Sequence, residues 1–127
     1  NPNILDDIID TNCVFFINGE LKDKIGPGFM KWTIEQNVKN FPGYTLTIKD
    51  IIAKANKVVL LYKFEGVFKQ LKKTVTADTV MIFHFNKGKI VKSWAYTNQL
   101  GYFTQLGFKL VPPPGVRTAP EDKPAKK

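Results

Sequence analysis

The stretch from Thr79 to Gly107, TVMIFHFNKGKIVKSWAYTNQLGYFTQLG, leaves the chain few alternatives. Val80 to Phe85 is a β-branched and aromatic run, Asn86-Lys87-Gly88 offers a turn with glycine available for a positive φ, and Lys89 to Thr97 resumes extended structure. This order predicts a hairpin. Asn98 then caps a helix in which Leu100, Phe103 and Leu106 recur on one side, and Gly107 supplies a left-handed stop.

Upstream, Asn3 is placed to cap a short helix that turns Ile4, Leu5, Ile8 and Ile9 inward, with Asp6 and Asp7 near its positive end. Cys13 to Ile17 is a compact apolar strand ended by the turn signal Asn18-Gly19, and Leu21 to Gly28 reads as loop. Pro27 opens a helix whose Met30, Ile34, Val38 and Phe41 form one stripe of core residues, with Phe29 and Trp32 beside it. Trp32 is the member of this helix proposed as a cavity wall. Phe41-Pro42-Gly43 stops the helix, and a strand from Tyr44 to Ala53 puts Leu46 and Ile48 on one face. After a turn at 54–57, Val58 to Phe68 alternates most clearly. Leu60, Tyr62 and Phe64 share one face, Lys63 and Glu65 take the other, and Gly66 is expected to mark a bulge. Residues 1–111 make a single domain. Residues 112–127, rich in Pro and Lys, read as a polyproline II start followed by a tail with nothing to bury.

The 127 residues suffice for one domain but not two. No apolar run approaches the ~18 residues needed to cross a bilayer, so no membrane span is expected. Cys13 is the single cysteine, a small core residue suited to a reducing compartment, either the cytoplasm or an organelle interior after transit-peptide removal. The net charge of +8 is carried almost wholly by Lys, with Arg117 the single Arg. Lys supplies a sequence-blind attraction to phosphate without the bidentate fork of Arg, which disfavours nucleic-acid recognition. Ser93 and His84 are likewise single, so a nucleophile-base-orienter triad or a zinc site would have to draw on the few candidate groups present. No cofactor or metal is expected.

The segments IFHFNKGKIVKSW and LGYFTQLG resemble the C-terminal signature of the SnoaL-like polyketide cyclases: an aromatic-ended strand, a Gly-Lys-Ile turn, a Trp, and a Leu-Gly helix ending in Gln-Leu-Gly. The similarity reaches back through Gly28 and covers roughly residues 26–114. It implies an α+β, nuclear transport factor 2-like fold, in which a curved, mostly antiparallel sheet wraps round helices into a cone with an apolar cavity. The long first helix of such proteins is missing ahead of Asn3. That absence suggests a fragment, a processed precursor, or a variant with one side of the cone uncovered.

The same resemblance sets a test for catalysis. Related enzymes remove a proton next to a carbonyl with a cavity carboxylate, and the positions that match are Asn98 and Ala95. Phe15 and Phe16 stand where the first strand often carries a polar group, and the usual loop at the cavity mouth is cut to a short link between Phe68 and Thr74. The expectation is therefore a non-catalytic module, a binding or assembly scaffold that holds at most a small apolar ligand. The alternative is a cyclase or isomerase acting on a small carbonyl compound with a rearranged site. Trp32, Tyr62, Phe64, Trp94, Tyr96 and Asn98 are the pocket candidates, and no residue is named catalytic. Members of this fold commonly pair through the open sheet face, which makes Ile82 and His84 candidates for an interface in a homodimer or a larger protein assembly.

Overall fold

A computed structural model describes residues 3–116. Helix α1 (Ile4–Ile8) leads into β1 (Ile9–Ile17) and the two-residue β2 (Glu20–Leu21), followed by α2 (Pro27–Asn40). Strands β3 (Thr45–Lys54), β4 (Lys57–Phe68), β5 (Lys73–Asn86) and β6 (Lys89–Thr97) come next, and α3 (Gln99–Gln105) follows. The strands form one open six-stranded sheet in the order β2-β1-β6-β5-β4-β3. Only the β1–β6 pair is parallel. This is the α+β cone architecture expected above.

The predicted hairpin is the β5–β6 pair. Lys87 and Gly88 both have positive φ (51° and 78°), the geometry whose twist suits a two-residue hairpin loop, and Asn18 and Gly19 (50° and 86°) repeat it between β1 and β2. Asn98 does cap α3, its side chain accepting from the Gly101 N–H at 2.9 Å, and Gly107 closes the helix at φ 101°.

Packing splits into two clusters. Ile9, Cys13, Phe15, Phe29 and Ile90 are buried where α2 crosses β1 and β6, and Phe41, Val75 and Leu106 are buried where the end of α2 meets α3 and β5. Four expectations are corrected. Ile4 and Ile8 face solvent, because α1 ends after five residues and the chain is already extended at Ile9, leaving Leu5 and Ile9 to pack inward. Of the α2 stripe, Val38 is exposed, since only Phe29, Met30 and Phe41 reach the clusters. Gly66 makes no bulge. Its register with Val75 is unbroken, and a Cβ there would lie 3.0 Å from the Tyr44 Cβ and 3.1 Å from the Phe41 Cβ, so glycine is needed for close packing. The irregularities fall instead between Ile9 and Val14 in β1, between Ile48 and Asp50 in β3 and between Ile90 and Lys92 in β6. Finally, Pro113 to Val116 closes a turn, with Gly115 at φ 82°, where an open polyproline segment was expected. Residues 117–127 of the expected tail lie outside the described residues.

Candidate functional site

Strand pairing sorts every side chain to one of two faces. Phe15, Ser93, Phe83 and Val58 are successive cross-strand partners on the face under α2. Four residues along β4, Tyr62 pairs with Thr79, and Thr79 pairs with Thr97. All three therefore look toward the helices. Phe41 and Asn37 from the last turns of α2 and Tyr102 from α3 close over them, leaving an open cavity of about 280 Å³ with Phe64 and Ala77 in its wall. Its volume lies at or just below the small end of ligand pockets.

Phe64 packs edge-on against Phe41 and stacks on Tyr44, so one wall is aromatic and fixed. The polar groups are neutral. Burial pushes the Tyr62 phenol above its usual range and Tyr44 adds to this, while a hydrogen bond with the Thr79 side chain pulls the other way. Burial also raises the Tyr102 phenol. At neutral pH both stay protonated and offer O–H donors. No carboxylate or imidazole among the described residues lines this cavity.

Of the pocket candidates, Tyr62 and Phe64 line this cavity, and the structure places the others elsewhere. Trp94 is on the opposite, outer face, stacked on Phe16 (5.4 Å, 8°) and 4.7 Å from the His84 ring. Tyr96 shares that outer face and is exposed. The physical reason is register: one residue along a strand reverses the face, and it is the small Ser93, Ala95 and Thr97 that turn toward the helices, where space is short. Asn98 spends its Oδ1 on the α3 cap and borders a shallow polar surface pocket with Lys49, Lys63 and Asp78. Trp32 is 46% exposed, with the Lys24 Nζ 5.0 Å from its ring centre, and it edges a separate surface hollow near Ile17 and Phe29. Sequence reasoning missed Asn37, Thr79, Thr97 and Tyr102. The alternation of small with bulky residues along Ser93 to Thr97 was the signal that could have found them.

Ile82 and His84 lie on the outer face with Trp94. The same face carries Val59, Leu61 and Val80, all partly exposed. No described helix is long and apolar enough to cross a membrane.

Solved structures share the fold. TsrD from Streptomyces laurentii aligns with a TM-score of 0.75 at 19% identity, over 84% of this chain and 83% of that one. A protein of ketosteroid isomerase-like fold from Catenulispora acidiphila, solved with trimethylamine, gives 0.72 at 13% identity over 88% of each chain. A candidate polyketide cyclase from Bacillus cereus gives 0.71 at 23% identity, covering 84% of this chain and 70% of that one. No curated protein sequence matches. At these identities the likeness speaks for the fold alone, but the family model described as SnoaL-like polyketide cyclase matches residues 1–106 directly, extending the resemblance to the start of the chain, and the chain belongs to that family.

Proposed function

We propose that the chain is a non-catalytic member of its family, a scaffold that binds partner surfaces and holds at most a small neutral ligand in its helix-side cavity. One observation carries this reading: among the described residues, each carboxylate or imidazole that could act as a base lies outside this cavity. Asp78 pairs with Lys49 at 2.9 Å on the outer face, His84 stands beside Trp94 on that face, and the family's carboxylate position is Asn98, engaged in a helix cap. Proton abstraction next to a carbonyl needs a base within hydrogen-bond reach of the substrate. Tyr62 and Tyr102 are held protonated and offer O–H donors without a basic phenolate, so a ligand oxygen could be bound there without being turned over.

The distribution of apolar side chains supports a scaffold as well. Eight apolar residues are buried among the described ones, while Ile48, Ile51, Ile52 and Leu46 in β3 alone are each more than half exposed. A surface of this kind is stabilised by covering it.

The test is α-proton exchange of small cyclic diketones in deuterated buffer, followed by NMR with the full chain present. The expected rate equals that of buffer. Exchange above buffer that disappears in Tyr62→Phe would establish the cyclase or isomerase alternative instead.

A further inference from the structure

Strand register lines up four basic side chains drawn from two separate hairpins of the sequence. Lys54 lies opposite Lys57, Lys57 opposite His84, and His84 opposite Lys92. Directly opposed residues project from the same face, so the row crosses four strands and spans about 14 Å. Lys54 and Lys57 are like charges placed directly opposite one another, which destabilises a sheet, yet no carboxylate is set in the row. The ion pairs of the described residues use Lys22, Lys31, Lys49 and Lys63 and leave this row out. Lys54, Lys57 and Lys92 are exposed, and Lys87 adds charge at the hairpin tip.

The neighbouring rows are of a different kind. Beside the basic row run Ile52, Val59, Ile82, Trp94 and Phe16, and beyond them Leu61, Val80 and Tyr96 with Asp50 at the edge. Further along, Asp78 is matched to Lys49 and Glu65 to Lys63, so that end is neutral. The outer face is therefore positive at one end, apolar through the middle and balanced at the other. A second copy laid on it would meet either its own basic row or the balanced end, and neither neutralises the charge. Nucleic acid would use the Lys row but leave the aliphatic rows uncovered, and the row contains no Arg.

We propose that the outer face docks a polypeptide other than this chain, one that presents a row of carboxylates beside an apolar strip. The inference rests on the scaffold reading and names the chemistry of its partner. Trp94 and Ile82 anchor the apolar strip, and the Lys row fixes orientation and speeds encounter.

The experiment places the photo-crosslinking residue p-benzoylphenylalanine at position 82 of the full chain in its native cell, with the crosslinked peptide identified by mass spectrometry. The expected peptide comes from a different protein and carries at least two Asp or Glu. Its yield should fall roughly tenfold in the Lys54→Glu/Lys57→Glu/Lys92→Glu variant and recover when those partner carboxylates are reversed to Lys. The Lys→Gln triple variant, with its melting temperature measured alongside, separates lost charge from lost folding. A crosslink to a second copy, to nucleic acid or to lipid overturns the inference, as does a yield unchanged by either triple variant. A crosslink to a second copy leaves the scaffold reading standing. A monomer that crosslinks to nothing ends both.

Discussion

Strands β1 and β3 are about equally apolar in sequence and end up in opposite circumstances. In β1, Cys13 and Phe15 are sealed beneath α2, with Phe15 4.8 Å from the Phe29 ring centre. In β3, all ten residues are exposed, including Leu46, Ile48 and Ile51 on the helix-side face. The difference lies overhead and not in the strands. Helix α2 packs its first turn on β1 and next meets the sheet through Asn37 and Phe41, over β4 and β5, so among the described residues β3 pairs with β4 and has no helix packed above it. Apolar sequence marks a surface for burial, and topology decides whether this chain supplies the cover.

That contrast can be broken in order of size. Phe15→Ala should cost about 3–5 kcal/mol in denaturant unfolding, because the buried ring leaves a cavity between strand and helix. Gly66→Ala, at the junction of the sealed and bare halves, should cost about 1–3 kcal/mol from the clash with Phe41 and Tyr44. Alkaline pH probes the sealed half without mutation. Burial, with a smaller push from Asp10, raises the Cys13 thiol from 9.0 to about 11. Below pH 9 the thiol is neutral in both states, and between about 9 and 11 only the unfolded chain ionises, so stability falls as pH rises through that window by on the order of 2 kcal/mol. A pH series of melting temperatures, repeated on Cys13→Ala, checks it: the alkaline loss should shrink in the variant.

Asn98→Ala should cost about 1 kcal/mol through loss of the cap, and leave ligand binding in the Tyr62 cavity unchanged, as titration of any bound neutral ligand would show. At the bare end, Ile48→Thr should shift the stability of the isolated chain by no more than about 0.5 kcal/mol. A loss there as large as that of Phe15→Ala would mean β3 is covered in solution.

Most of the architecture was legible in local chemistry. Turn residues with positive φ at Lys87-Gly88 and Asn18-Gly19, the cap at Asn98 and the stop at Pro42-Gly43 are decided by one or two residues each, and their positions in the fold follow. The face of each strand is decided otherwise. Trp94 and Tyr96 alternate as properly as Ser93, Ala95 and Thr97, and period two cannot say which set the helices will cover. Bulk misled here, because aromatic rings suggest interior while the narrow space under α2 and α3 favours small side chains. The basic row was invisible for a similar reason: Lys54 and Lys57 flank one turn, but only strand register sets them in line with His84 and Lys92.

The parallel β1–β6 pair carries one more consequence, for the time course of synthesis. The Asn18 side chain that ties β1 to the end of β6 accepts from the Thr97 N–H, a bond spanning 79 residues. At ordinary ribosomal speeds, roughly 4–16 seconds separate the emergence of the two strands. Until then the CVFFI segment has no strand to lie beside except its own two-residue hairpin partner, while β3, β4 and β5 can already zip together through short turns. The last of the described strands to be made is thus the one that shelters the first, and a nascent chain stalled before Lys89 would hold this apolar segment open to chaperones.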